Sequence, residues 1–173
     1  LKDFGETVGK ARAIANAIEF AKGEIILTTD ADCIVSPTWA KTLASYYTEN
    51  VAMVCGYTNQ RWNKLFEAVQ DMDFIYLLTV AGGSINLNKP LSAIGNNMSY
   101  RKSAYYEAGG YEKIPFSVTE DFQLLMAINK LEGKRIIYPA DPEGLVTSEP
   151  CTDWKTLFRQ KRRWAVGGMK STF

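Results

Sequence analysis

Two acidic residues, Asp30 and Asp32, follow a short apolar run and could hold a divalent cation. The run over residues 25–27 is typical of a strand buried on both faces, and a spacing of two lets both carboxylates face one side. Two carboxylates about 5 Å apart repel each other by about 3 kcal/mol unless a cation joins them. Because the chain has no histidine, such oxygen ligands indicate Mg²⁺ or Mn²⁺.

The same acids have a plainer interpretation, in which they only cap the turn after the strand. Ser36 and Pro37 predict that a helix starts soon afterwards, since serine is a common N-cap and proline suits the first helical position. We therefore expect the acids in a strand-to-helix connection, which is where open α/β sheets bind ligands. Other motifs have to decide between metal binding and capping.

Two further polar groups could take part in the same chemistry. Glu120 and Asp121 lie in the first turn of a predicted helix, where the helix macrodipole favours an ionised carboxylate that can accept a proton. Gln160, Arg163 and Trp164 have i, i+3, i+4 spacing, so one helix face would offer an amide, a planar cation and an indole to a sugar or phosphate. The alternatives are a first-turn acid that only stabilises its helix and an arginine that stacks on a surface tryptophan.

Composition excludes several classes of protein. The 173 residues are 46% hydrophobic, so we expect residues 1–173 to form a single domain with a sizeable core. A net charge of +1 gives no reason to expect nucleic acid binding. The absence of histidine excludes Ser-His and Cys-His catalysis, and a carboxylate is the expected general base. Three widely spaced cysteines without a CxxC pair favour a reducing, cytosolic setting.

The elements that must position these groups alternate between helix and strand, which predicts an α/β fold. Apolar periodicity predicts helices over residues 8–22, 39–47, 62–80, 103–108 and 152–169, and a capping box at Ser117 and Glu120 predicts a helix that continues to Gly133. Apolar runs predict strands over residues 25–29, 51–54, 92–100 and 135–138. Gly82 and Gly83 are expected to end the third helix, and Gly95 indicates a close backbone approach or a bulge.

The sequence gives two indications about contact with a membrane. No stretch reaches the roughly 18 apolar residues that span a bilayer, and the start resembles no signal peptide, so we expect this segment to be soluble. The third predicted helix is rich in large apolar residues, which suits a core helix or, if partly exposed, one along a membrane interface or a partner. Because the chain begins at Leu1 and the first strand comes only at residue 25, we expect a fragment of a longer protein.

The order of the polar groups resembles that of the family-2 glycosyltransferases with a GT-A catalytic domain. Asp30-Ala-Asp32, Thr119-Glu-Asp121 and Gln160-Lys-Arg-Arg163-Trp164 match the DxD, TED and QxxRW motifs, and residues 9–12 and 95–101 match two further segments. The match covers essentially the whole chain and is nearest to the membrane-bound processive synthases of cellulose, hyaluronan and poly-N-acetylglucosamine. It implies an α/β nucleotide-diphospho-sugar transferase fold, a mixed sheet flanked by helices, without its N-terminal nucleotide-binding part.

The resemblance also implies a role for each matching residue. Asp30 and Asp32 would hold the nucleotide diphosphate and its Mg²⁺ or Mn²⁺, and Asp121 would be the catalytic base. The other positions would bind donor or acceptor: Lys10, Gly95, Asn96, Glu120, Gln160, Arg163 and Trp164.

The implied activity is metal-dependent, inverting transfer of a sugar from a nucleotide-diphosphate donor to a hydroxyl of a glycan or another acceptor. A UDP-sugar is the expected donor. Segments outside these residues would hold the full-length protein at the cytoplasmic face of the cell membrane, and the isolated segment would be inactive. Two alternatives remain open. A sugar-nucleotide pyrophosphorylase would release pyrophosphate, and a non-catalytic glycan-binding or scaffold module would bind without donor or metal.

Overall fold

Helices and strands are interspersed along the chain, and in several places two strands or two helices follow one another. The computed structural model describes residues 9–92, 94–114 and 119–172. The helices are α1 (Gly9–Phe20), α2 (Trp39–Ser45), α3 (Leu65–Asn86), α4 (Lys102–Glu107), α5 (Gly110–Lys113), α6 (Glu120–Asn129) and α7 (Trp154–Thr172), with a 3₁₀ turn at Pro142–Gly144. The strands are β1 (Ile25–Thr28), β2 (Cys33–Val35), β3 (Val51–Cys55), β4 (Thr58–Gln60), β5 (Met98–Arg101), β6 (Arg135–Ile137) and β7 (Val146–Ser148).

A mixed four-stranded sheet forms the centre of the molecule, in the order β1-β5-β3-β6. β5 runs antiparallel to both β1 and β3, and β3 is parallel to β6. Every residue of β3 is buried, because Ala52, Met53 and Cys55 pack with side chains of α3 and α6, whereas Val51 and Val54 pack in a second cluster with α2. Covering on both faces explains its continuous apolar run, Val-Ala-Met-Val-Cys. The mixed sheet flanked by helices is therefore confirmed.

A second sheet, in the order β2-β7-β4, was not predicted. Its strands have three residues each, and β4 and β7 are rich in polar side chains, so they carry no apolar run or alternation that a sequence pattern could show. The strand β2 follows the two acids directly, so the expected strand-to-helix connection is wrong. Ser36 does not cap α2; its hydroxyl donates instead to the carbonyl of Glu143.

The helix α3 is longer than predicted, because it continues through Gly82 and Gly83 to Asn86. A side chain at position 82 would have its Cβ 2.7 Å from the ring of Tyr138, so this glycine allows close packing rather than ending the helix. Within the described part of the chain, no helix combines the length and apolar character needed to cross a bilayer.

The strand predicted over residues 92–100 begins only at Met98. Gly95 and Asn96 lie in the turn that precedes it. The backbone groups of this turn bond outside the sheet: the Gly95 N–H donates to a side chain of α6, and the Asn97 carbonyl accepts from Gly56 at 2.7 Å. These bonds replace the ladder that a longer strand would need, and they bring the turn to the N-terminus of α6.

Candidate active site

Lys10, near the start of α1, connects two of the acidic motifs. Its ammonium group donates a hydrogen bond to Asp30 Oδ1 and lies 3.6 Å from Glu120 Oε1. Burial alone would lower the pKa of Lys10, but the hydrogen bond to Asp30 and the charges of Asp30, Glu120 and Asp121 outweigh it and raise the pKa. The lysine therefore stays cationic between the loop after β1 and the start of α6. We call Lys10, Asp30, Asp32, Glu120 and Asp121 the acidic corner.

Asp121 is held in the first turn of α6 by two backbone donors. The Gly95 N–H donates to Oδ2 at 2.7 Å, and the Phe122 N–H donates to Oδ1 at 2.9 Å. Burial and then the charge of Glu120 raise the pKa of Asp121 to about 6, against the effects of the two donors and of Lys10. The sequence predicts that the helix macrodipole favours the ionised carboxylate, and burial acts in the opposite direction; with a pKa of about 6, Asp121 is still mostly ionised at neutral pH. A carboxylate with this pKa is a better proton acceptor than an exposed aspartate.

Gly95 permits this contact because it has no side chain. A Cβ at position 95 would lie 2.9 Å from Asp121 Cβ and 3.0 Å from Oδ2, so the close approach expected from the sequence is confirmed. The same groups line a small pocket whose walls combine polar and apolar side chains: Lys10, Ile14, Thr28, Gly95, Met98, Tyr100, Tyr111, Glu120 and Asp121.

Asp30, Asp32 and Cys33 form a candidate metal centre, since one ligand atom from each lies within 4.8 Å of the other two. The Cys33 N–H donates to the Asp30 carbonyl at 3.1 Å, which turns the chain so that both carboxylates meet. Burial, and then the charges of Asp32 and Asp30, raise the pKa of the Cys33 thiol. Hard carboxylate oxygens suit Mg²⁺ or Mn²⁺ better than a soft thiol does, so Asp30 and Asp32 are the candidate ligands. Cys33 was not among the predicted site residues, although its position next to Asp32 could have indicated that it lies close to the candidate metal ligands.

Asn96, a predicted binding residue, has its side chain inside the protein. It is 5% exposed and accepts a hydrogen bond from the Thr58 hydroxyl at 3.0 Å. It therefore connects the turn before β5 to β4.

The next residue, Asn97, was not predicted, yet its buried amide joins the two sheets. It donates to the carbonyls of Tyr57 at 2.6 Å and Gly144 at 3.0 Å, and it accepts from Trp39 Nε1 at 2.9 Å. Its three partners lie in the β3–β4 turn, in the 3₁₀ turn before β7 and in α2. This amide fixes the turn that carries Gly95 relative to the second sheet.

The α7 motif, which consists of Gln160, Arg163 and Trp164, lies in a different environment. Trp164 is half-buried, with its ring centroid 6.2 Å from that of Phe74. The ammonium group of Lys161 lies 4.8 Å from the centroid of the Trp164 ring. Gln160 is half-buried, and Arg163 is exposed.

The structure brings together five of the predicted site residues and leaves the α7 motif apart. Lys10, Gly95, Glu120 and Asp121 line one pocket, and Lys10 connects it to Asp30. Between described residues, none of the hydrogen bonds or ion pairs joins the α7 motif to an acid of the acidic corner.

Residues 25–173 match the model of the family described as Glycosyl transferase family group 2. The chain belongs to this family. The resemblance to family-2 glycosyltransferases is thereby confirmed from an independent comparison that covers most of the chain.

Two curated relatives are similar over nearly the whole chain. They are the beta-monoglucosyldiacylglycerol synthases of Trichormus variabilis and of a Nostoc species, each 26% identical over 171 residues. The alignment covers 94% of this chain and 34% of either relative. The chain thus spans about a third of the length of the curated relatives that it matches.

Solved structures confirm the GT-A fold. A mannosyltransferase from Pyrobaculum calidifontis, determined with GDP-Man and Mn²⁺, matches at a TM-score of 0.63 and 21% identity, over 91% of this chain and 41% of that chain. Glucosyl-3-phosphoglycerate synthase from Mycobacterium tuberculosis, determined with Mn²⁺, UDP-glucose and glycerol 3-phosphate, matches at 0.52 and 16% identity, over 95% of this chain and 55% of that chain.

Proposed function

We propose that this chain carries the catalytic centre of an inverting glycosyltransferase that uses a nucleotide-diphosphate sugar and a divalent cation. One observation carries the proposal: Lys10 joins the acids after β1 to the pocket that holds Asp121. A donor diphosphate and an acceptor hydroxyl have to meet within a few ångströms, and this junction is where their two candidate binding groups come closest.

The candidate metal ligands fit Mg²⁺ or Mn²⁺. Asp30 and Asp32 offer carboxylate oxygens within 4.8 Å of each other, and Asp32 is exposed, so a hydrated cation with phosphate oxygens could complete its coordination there. A bound cation would supply positive charge to the departing diphosphate. The two solved relatives described above each hold Mn²⁺ and a nucleotide sugar, which supports this assignment.

Asp121 is proposed as the general base. The acceptor oxygen attacks the anomeric carbon while the bond from that carbon to the diphosphate oxygen breaks, and the departing oxygen keeps the electron pair. The acceptor proton passes to the Asp121 carboxylate, whose pKa of about 6 keeps it ionised at neutral pH. Attack on the face opposite to the diphosphate inverts the anomeric configuration. The Gly95 and Phe122 donors hold both carboxylate oxygens in place for this step.

The remaining predicted residues are proposed to position substrate. Lys10 lies between the two groups and would approach the donor phosphates as a cation. Arg163 is exposed and could bind a phosphate oxygen through its planar guanidinium group. Gln160 and Trp164 would contact the acceptor, although Trp164 offers only the part of its ring that packing on Phe74 leaves accessible.

The acceptor is proposed to be a glycan or lipid hydroxyl, and the whole protein is proposed to work at the cytoplasmic face of a membrane. The curated relatives are named as synthases of a monoglucosyldiacylglycerol. For this reason a lipid hydroxyl is proposed as an acceptor beside the glycan hydroxyl expected from the sequence. The donor is proposed to be a UDP-sugar, with a GDP-sugar as the variant to compare.

Identification of the released nucleotide tests the proposal. The intact protein is incubated with UDP-glucose or GDP-mannose, Mn²⁺ or Mg²⁺, and either a glycan or diacylglycerol. We expect release of the nucleoside diphosphate together with a glycosylated acceptor. Release of pyrophosphate would instead identify a pyrophosphorylase, and acceptor binding that requires neither donor nor metal would identify a binding module.

A further inference from the structure

The helix α3 carries large apolar side chains on its exposed side as well as on its buried side. Phe74 and Leu78 are buried, whereas Leu65 and Tyr76 are 82% and 67% exposed. The exposed apolar side chains follow one stripe at spacings of four and three residues: Leu65, Val69, Met72, Tyr76 and Val80. Surface helices normally turn polar residues outward, so an apolar stripe along a helix about 33 Å long indicates a surface that is covered in use.

The stripe continues onto α7 through aromatic contacts. The ring of Phe66 in α3 lies 4.6 Å from that of Trp154, measured between centroids, and Trp154 lies 6.1 Å from Phe158. Trp154 and Phe158 are both largely exposed. We call the stripe of α3 together with Trp154 and Phe158 the α3–α7 face.

The acids of α3 do not place unpaired charge on this face. Glu67 accepts from the backbone N–H groups of Asn63 and Lys64 at the start of the helix. Asp71 is buried and accepts from the Gln60 N–H at 2.7 Å. Asp73, which is nearest to α7, forms an ion pair with Lys161.

Cations border the α3–α7 face on α7. Lys155, Arg159 and Arg162 are exposed, and their spacing of four and three residues places them on one row beside Trp154 and Phe158. No acidic residue occurs in residues 154–173. The face therefore combines exposed apolar and aromatic side chains with a row of positive charge.

We propose that the α3–α7 face lies on the surface of an anionic lipid bilayer. The apolar and aromatic side chains would enter the interface between headgroups and acyl chains, and Lys155, Arg159 and Arg162 would contact lipid phosphates. A second copy of the chain fits less well, because in a symmetric contact the face would have to meet these cations with acids, and its own acids are already paired or buried. This proposal concerns a different surface from the acidic corner and holds whether or not Asp121 is the base.

Vesicle co-sedimentation of the chain tests the proposal. We expect binding to phosphatidylcholine vesicles that contain about one third phosphatidylglycerol, and little binding to phosphatidylcholine alone. The double variant Arg159→Glu/Arg162→Glu should lower the affinity by about 20-fold or more, since each cation near an anionic surface contributes about fivefold. The double variant Met72→Ser/Tyr76→Ser should lower it by roughly tenfold through loss of apolar contact.

Two control variants test whether the location of the changed residues on the α3–α7 face matters. Lys41→Glu/Lys130→Glu makes the same change in net charge at exposed positions on α2 and at the end of α6, and Phe20→Ser removes an aromatic ring that is 78% exposed on α1. Both controls should bind vesicles like the wild type, and circular dichroism should show that every variant is folded.

Three results would overturn the proposal. The first is absence of binding by the wild type to the anionic vesicles. The second is equal loss of binding in the Lys41→Glu/Lys130→Glu control, which would reduce the effect to net charge. The third is a dimer, seen by light scattering without vesicles, that the Met72→Ser/Tyr76→Ser variant converts to monomer; the face would then join two copies of the chain.

Discussion

The two pairs of acids in the acidic corner have the same chemistry but opposite surroundings. Asp32 is exposed, and Asp30 keeps 39% of its side-chain surface accessible. Asp121 is enclosed by the turn at Gly95, with its pKa raised to about 6, and Glu120 beside it is 16% exposed. Accessible carboxylates can exchange water for a cation, whereas an enclosed carboxylate with a raised pKa can take up a proton.

This difference in burial supports the proposed roles. The motif order assigned Asp30 and Asp32 to the metal and Asp121 to the proton, and the accessible carboxylates of the first two and the raised pKa of the third are consistent with that division. Lys10 lies between the two pairs, with a hydrogen bond to Asp30 and a distance of 3.6 Å to Glu120 Oε1. Variants at each pair should therefore affect different steps.

The largest effect is expected for Asp121→Asn. This change removes the proton acceptor and keeps the side-chain volume, so sugar transfer by the intact protein should fall by about 100-fold to 10,000-fold. Binding of Mn²⁺ with UDP, measured by calorimetry, should be unchanged.

In the wild type, transfer should fall as the pH drops below about 6, because Asp121 is then protonated. Glu132→Gln, an exposed change beyond the end of α6, is the control, and near-normal turnover by Asp121→Asn would reject this residue as the base.

The next effect is expected for Asp32→Ala, which removes an accessible ligand and leaves the pocket at Asp121 intact. Metal-dependent binding of UDP by the chain should weaken by about 100-fold, by analogy with losses of 10 to 100-fold that follow even indirect changes at metal sites. Isothermal calorimetry with Mn²⁺ and with Mg²⁺ measures this and compares the two ions. Unchanged metal-dependent binding would show that the cation lies elsewhere.

A third prediction concerns stability and pH. The pKa of Asp121 in the folded chain, about 6, exceeds its ordinary value of 3.8. The stabilisation from its protonated form is therefore complete below about pH 4 and is lost as the pH rises through about 6. Between about pH 7 and pH 4, the free energy of unfolding of the wild type should gain up to about 3 kcal/mol relative to that of Asp121→Asn.

Urea titrations of both proteins across this pH range measure the difference, in which groups common to both cancel. A Glu132→Gln control should not reproduce the change. If the wild type and Asp121→Asn respond equally to pH, Asp121 is not enclosed as described.

The smallest effect is expected for Lys10→Met, which removes the contact between the two pairs but neither set of carboxylates. The charge of Lys10 lowers the pKa of Asp121, so its loss should raise that pKa further. The acid limb of the pH profile of transfer should move to higher pH, while the maximum rate at high pH changes less. Lys22→Met, an exposed lysine after the same helix, is the control. A limb that does not move would show that the two pairs act independently.

Sequence patterns predicted the elements that contribute most to the core. Apolar periodicity identified α1, α3, α6 and α7, and apolar runs identified β1, β3 and β6, because burial of one helix face or of a whole strand leaves a regular pattern. The motif order predicted the family, and Gly95 predicted a close backbone approach, since only glycine leaves room for Asp121.

Tertiary structure decided what depends on contacts between distant residues. The strands β2, β4 and β7 form because each pairs with another part of the chain, and three polar residues cannot show that in sequence. Gly82 lies within α3 and is packed against Tyr138, although the pair Gly82 and Gly83 predicted the end of the helix. The pKa of Asp121 is raised by burial and then by the charge of Glu120. The sequence showed only its place in the first turn of α6, where the helix macrodipole favours the ionised form. The local sequence pattern indicates which apolar residues are buried, whereas only the fold determines which of them come into contact.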